Sequence, residues 1–130
     1  MEGKDNMNEE YNNFGDFLHR KRIGRGVSYR ELAAELGVSA PYISDIEKNR
    51  RNAPSMDKLE KIARYFNLTN EERFLMFDLA GETKSDVAPD IPEYIMNHDY
   101  VAAALRAARE LDANEDDWQN FVDELKRRKG

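Results

Sequence analysis

The stretch Ser28-Tyr29-Arg30-Glu31-Leu32-Ala33-Ala34-Glu35-Leu36-Gly37-Val38-Ser39-Ala40-Pro41-Tyr42-Ile43-Ser44-Asp45-Ile46-Glu47 decides the fold. Ser28 stands three residues before Glu31. At that spacing a serine hydroxyl accepts one free N–H of a helix start, and the glutamate reaches back to another. A helix therefore begins there, runs through Leu32, Ala33 and Leu36, and closes at Gly37, which enters the left-handed conformation at little cost. Ser39 is the next N-cap. Pro41 then falls in a first turn, where its missing N–H forfeits no hydrogen bond. The second helix spans about Ala40 to Lys48, with Ile43 and Ile46 on its inner face.

Outward from this pair the helical signals continue on both sides. Phe14, Phe17, Leu18 and Ile23 make the apolar stripe of a preceding helix, which the glycines Gly24 and Gly26 end. Downstream, Ser55 caps a helix whose Leu59, Ile62, Ala63 and Phe66 recur at i, i+3, i+4 and i+7, a buried stripe. Thr69 and Glu72 repeat the capping-box spacing. The helix they open carries apolar residues on nearly every side from Arg73 to Ala80 before Gly81, so it is expected to be enclosed. Residues 82–92, with Pro89 and Pro92, read as a linker that no regular element crosses. Beyond it Asp99 caps a helix carrying Val101, Leu105, Ala108 and Leu111, and Asn114 caps another carrying Trp118, Phe121, Val122 and Leu125. The expected organisation is all-α: a flexible tail at 1–13, a five-helix domain at 14–81, the linker, and a helical hairpin at 93–130.

Composition narrows the function classes. A chain of 130 residues holds one domain, or one small domain and an appendage. It has no cysteine, and its two histidines, His19 and His98, stand far apart, so no thiolate chemistry, metal site or cofactor is expected. Ser44 lacks the His and Asp partners of a nucleophile, and nothing reads as catalytic. Without a signal-peptide core or an apolar run of roughly 20 residues, the expectation is a soluble, cytoplasmic protein with no membrane partner. The net charge of -6 is unevenly spread: residues 1–13 carry -3, residues 14–66 carry +4, and residues 67–130 carry -7. The basic middle points to an anionic partner there, although a charge block also serves as a solvated face.

Two short helices joined by a three-residue turn inside a basic five-helix segment form the arrangement of a helix-turn-helix. Arg20-Lys21-Arg22-Ile23, the run Ser28 to Ser39, and Tyr42-Ile43-Ser44-Asp45-Ile46-Glu47 together resemble the XRE family of phage Cro and repressor DNA-binding domains. The resemblance covers roughly residues 14–80. It rests on small Ala33 where the two helices cross, Gly37 at the turn, the Ile-Ser-x-Ile-Glu run, and the Leu-x-x-Ile-Ala of the fourth helix.

By position, the resemblance implies that Ser39, Ala40, Pro41, Tyr42 and Asp45 line the DNA-facing start of the third helix. This set lacks Arg, Gln and Asn. Readout would use apolar contact with thymine methyls from Ala40, Pro41 or Tyr42 and acceptance of a cytosine amino proton by Asp45, which equally well faces only water. Lys48, Arg50 and Arg51 would contact phosphates, as would the N–H groups at the start of the second helix beside Ser28 and Tyr29. Asn49 stands where the family commonly has glycine, and it tolerates the same left-handed backbone. Similar proteins pair the glutamate at Glu47 with an arginine of the first helix, here Arg22. That implies a structural contact, with Ile43, Ile46, Leu59 and Ile62 in one core. Tyr65, Phe66, Phe74 and Phe77 read as core or interface aromatics.

The function that follows is a sequence-specific transcriptional regulator, not an enzyme, binding double-stranded DNA as a homodimeric repressor on a short operator. Two other roles fit the same residues. An antitoxin would repress its own operon through this domain and block a toxin with the acidic tail. An interaction module would keep the fold without DNA binding, a reading that the acidity and the sparse donor set favour and the basic run Lys48 to Arg51 opposes.

Overall fold

The computed structural model of the chain describes residues 10–84 and 86–130, and among these residues it has eight α-helices and no strand. They are α1 (Phe14–Gly24), α2 (Tyr29–Leu36), α3 (Ala40–Glu47), α4 (Met56–Tyr65), α5 (Asn70–Glu82), α6 (Asp90–Met96), α7 (Asp99–Glu110) and α8 (Glu115–Lys129). The chain divides into two compact units, residues 1–92 and 93–130.

In the first unit the helix starts follow from local side-chain chemistry. Ser28 and Thr69 each close a capping box, with Glu31 and Glu72. Asn13 accepts the Asp16 N–H at the start of α1. The region expected to be a tail ends in ordered contacts: the Tyr11 ring stands edge-on to Phe17, with centroids 5.0 Å apart, and the Asn12 N–H donates to Asp16. The remainder of that expectation, residues 1–9, lies outside the described residues.

Phe14, Phe17, Leu18, Leu32, Leu36, Ile43, Ile46, Leu59, Ile62, Phe66, Met76 and Phe77 are all buried in one cluster, so the four branched residues expected to share a core do so. Ala33 is 3% exposed, and its small side chain lets α2 and α3 cross closely. Gly37 sits at φ 72° and ψ 35°, the left-handed turn expected of it.

Three sequence-based expectations in this unit are corrected. Ile23 is 55% exposed rather than part of the α1 stripe, because it falls in the last turn, rotated away from Phe14, Phe17 and Leu18. Helix α5 is not enclosed: Phe74 is 53% exposed, on the same side as Asp78, while Met76, Phe77 and Ala80 are buried. Ser55 is the N-cap residue of α4, yet its side chain makes no capping hydrogen bond.

A helix absent from the sequence reading, α6, begins inside the segment read as a linker. Pro92 stands in its first turn, where a proline needs no N–H partner, so the residue that argued against a helix is compatible with one. In the second unit, α8 opens on an Asn114–Asp117 capping box as expected. Helix α7 does not open on Asp99. His98 holds the N-cap position without a side-chain cap, and Asp99 lies in the first turn, where its charge suits the helix N-terminus.

Candidate nucleic-acid interface

Behind the interface stands a buried ion pair that fixes α1 against α3. The Arg22 Nε donates to Glu47 Oε2 at 2.7 Å and Nη2 to Oε1 at 3.0 Å, with the two side chains 7% and 3% exposed. Nη1 donates to the Val27 carbonyl at 2.9 Å. The hydrogen bond to Glu47 holds the Arg22 guanidinium above its ordinary pKa, against the opposing effect of burial. The guanidinium also covers the Tyr29 ring, 4.1 Å from its centroid. One arginine thus ties together α1, α3 and the start of α2. His19, three residues earlier on α1, adds Nδ1 to Glu47 Oε1 at 2.9 Å. The Arg22–Glu47 contact was expected from the sequence; the His19 contact was not, although His19 and Arg22 are spaced to share a helix face.

At the start of α2, the Glu31 N–H is bonded to Ser28 Oγ at 3.0 Å, and the Ser28 N–H to Glu31 Oε1 at 2.8 Å. The capping box therefore consumes two donors of this end. Those of Tyr29 and Arg30 are left for an anion, which would share the end with the Glu31 carboxylate.

On α3, the Tyr42 N–H donates to Ser39 Oγ at 3.2 Å. Ser39 and Pro41 are exposed, while Ala40, Tyr42 and Asp45 are half-buried. Past the helix, Lys48, Arg50 and Arg51 are exposed. Asn49 takes φ 62°, the left-handed conformation that lets the chain reverse there. The Arg50 N–H then bonds the Asp45 carbonyl at 2.8 Å, which folds the loop back along α3. This reversal has a consequence for Arg51: its guanidinium carbon lies 4.8 Å from the centroid of the Tyr42 ring.

The candidate residues other than Ser28 and Arg50 thus gather in two places. Ser39, Ala40, Pro41, Tyr42, Asp45 and Arg51 lie along the start of α3 and its returning loop. Tyr29 and Lys48 line one cleft between α1, α2 and α3, together with His19, Glu47 and Asn49. The half-buried edge of α3 is thus flanked by exposed cations and by the start of α2.

Residues 18–72 match the family described as Helix-turn-helix. An uncharacterized HTH-type transcriptional regulator of Mycobacterium tuberculosis is 40% identical over 57 residues, which is 44% of this chain and 40% of the relative. The HTH-type transcriptional regulator DdrOP3 of Deinococcus deserti is 28% identical over 72 residues, 55% of each chain. The regulator SinR of Bacillus subtilis is 39% identical over 49 residues, 38% of this chain and 44% of SinR. The matched segments therefore span between 40% and 55% of these curated relatives. Among solved structures, a SinR protein/SinI protein complex is similar at 25% identity and a TM-score of 0.44, over 89% of this chain and 97% of that one.

The α2–turn–α3 unit and the matched residues define a helix-turn-helix domain. Within that class, the match over residues 18–72 is consistent with the resemblance to the XRE family that the sequence carries.

Proposed function

We propose that the chain is a sequence-specific DNA-binding transcriptional regulator that acts as a dimeric repressor on a short, two-fold operator. The observation that carries this reading is α3 itself. Its buried face is committed to the core through Ile43, Ile46 and the Glu47 ion pair, and its end is followed by exposed Lys48, Arg50 and Arg51 on a loop that folds back along it. Lys48 and Arg50, with the first N–H groups of α2, supply phosphate contacts, and the edge from Ser39 to Asp45 reads bases. The relatives' description as transcriptional regulators supports the same role.

The dimer rests on the second unit. Trp118, Phe121, Val122 and Leu125 of α8 are between 36% and 56% exposed, an apolar face that suits a second copy. The same face suits a protein of other sequence, as an antitoxin would use.

Sequencing the genomic fragments retained by the purified protein tests the reading. The expected result is one recurring motif with two inverted half-sites, lying across promoters. Fragments without a common motif would exclude sequence-specific regulation. A motif without two-fold symmetry would exclude the dimer.

A further inference from the structure

We propose that Arg51 reads a guanine in the major groove, held in place by the Tyr42 ring, instead of gripping a phosphate as its position after α3 implies. The proposal rests on the reading of α3 as the DNA-facing helix.

Among the described residues Arg51 makes no hydrogen bond and no ion pair. What holds it is the face of Tyr42, 4.8 Å from the guanidinium carbon. Arg22 and Arg73 also lie over rings, those of Tyr29 and Phe77, but they and Arg25 have acceptors at their edges as well: Glu47 for Arg22, the Phe66 carbonyl for Arg25 and Glu60 for Arg73. A guanidinium carbon over a ring is held by its charge on the ring face, and its five N–H donors remain without an acceptor from the described residues. A planar fork with a free rim matches O6 and N7 of guanine, the pair an arginine recognises in the major groove.

The platform beneath is firm. Tyr42 lies in the first turn of α3, half-buried against the core, and its N–H is held by Ser39 Oγ. A stacked side chain has also surrendered part of its rotamer freedom before DNA arrives, so less is lost on contact.

A phosphate needs only nearby charge, which exposed Lys48 and Arg50 already provide without any such anchor. The base-reading edge, by contrast, has no strong donor of its own: Ala40 and Pro41 offer apolar contact, and Asp45 only accepts. Arg51 brings to that edge the donor that α3 lacks, from a loop rather than from the helix.

The test measures binding of the full chain to its recovered operator half-site and to duplexes in which each base pair is changed in turn, by fluorescence anisotropy at fixed salt. The parent is expected to prefer one G·C pair by about tenfold to a hundredfold. Arg51→Ala should erase that preference alone and keep the others. Arg51→Lys should erase it too while retaining the parent's salt dependence, because the charge stays and the fork is lost. Tyr42→Leu removes the ring and should weaken the G·C preference; an unchanged preference would overturn the role of the ring in holding Arg51. An Arg51→Ala protein that weakens on every duplex alike, with a flatter salt dependence, makes Arg51 a phosphate contact and overturns the proposal, as does one that binds like the parent. A parent with no sequence preference overturns the regulatory reading first, and the guanine contact with it.

Discussion

At the scale of single residues, burial decides which charges matter. Arg22 and Glu47 have left water together, and each is satisfied by the other, so removing one strands a charge. Glu47→Ala should therefore destabilise the domain by about 3 to 5 kcal/mol, read as the midpoint shift in urea unfolding. A shift near zero would mean that water solvates Arg22 as well as Glu47 does. Asp78 is the opposite case. Although it stands on the exposed side of α5, partial desolvation pushes its carboxyl up, and the neighbouring charges of Asp90 and Glu82 add to the effect. A carboxyl raised in the folded state holds its proton more tightly there than when unfolded, so its ionisation works against folding at neutral pH. That burden lifts as pH falls through the folded value. Asp78→Asn should accordingly unfold at a higher urea concentration than the parent at pH 7, and the two curves should converge in acid. A constant gap across pH would assign the effect to something other than titration. Glu72 runs the other way: burial raises its carboxyl, but the hydrogen bonds from Lys21 and Thr69 overcome this and leave it lowered.

Elements whose signals are local in sequence were legible, and those that depend on distant neighbours were not. Ser28, Ser39, Thr69 and Asn114 announce helix starts because a short side chain bonds its own backbone two or three residues on. Gly37 and Asn49 announce reversals because glycine and asparagine enter the left-handed conformation at low cost, also a local property. Periodicity shows that Ile23 and Phe74 are apolar but not that they point outward, since that depends on where neighbouring helices end. Helix α6 was hidden because a proline in a first turn looks the same in sequence as one in a loop. The candidate interface was legible along α3 as a set of positions; the stacking of Arg51 on Tyr42 was not, because it needs the reversal at Asn49 and spans nine residues.

Gly15 shows why such packing cannot be read from propensity. Alanine there would add helix propensity of about 1 kcal/mol. Yet its Cβ would stand 2.6 Å from the Glu47 carbonyl oxygen and 2.7 Å from that of Ile46, backbone atoms at the end of α3 that cannot swing aside. Gly15→Ala should lower stability by roughly 1 to 3 kcal/mol, the usual cost of overpacking, and a chemical melt reads it directly. A more stable variant would show that α1 slides on α3 without cost.

On the scale of the whole molecule, the proposed DNA binding would bring a chain of net charge -6 to a polyanion through a few local cations, so its affinity should fall steeply with salt. Replacing Lys48 and Arg50 with Ala should weaken binding to all duplexes alike and flatten the log-log salt dependence by about 1 for each phosphate no longer neutralised. An unchanged slope would take these residues off the phosphates. The acidic remainder of the chain makes a second DNA contact valuable, and the hairpin is where a second copy would supply one. Fully burying an aliphatic or Phe side chain is worth roughly 1.5 to 3 kcal/mol. Trp118, Phe121, Val122 and Leu125 remain 41%, 56%, 38% and 36% exposed, so each has only part of that gain left. A two-fold interface uses the face twice, which doubles the sum and sets it against an association cost of about 4 to 15 kcal/mol. At the low end of that cost the balance leaves a weak dimer, at about tens of micromolar, which would meet two half-sites one DNA turn, about 34 to 36 Å, apart. Phe121→Glu with Leu125→Glu places charge in that interface while leaving the helical solvent face and the Asn114 cap untouched. Sedimentation at tens of micromolar should show a dimer for the parent and a monomer of unchanged helicity for the double variant, which should also lose affinity for a two-site operator far more than for a half-site. A parent that sediments as a monomer, or a double variant still dimeric, would move the dimer interface away from α8 and leave the exposed face to a partner of different sequence.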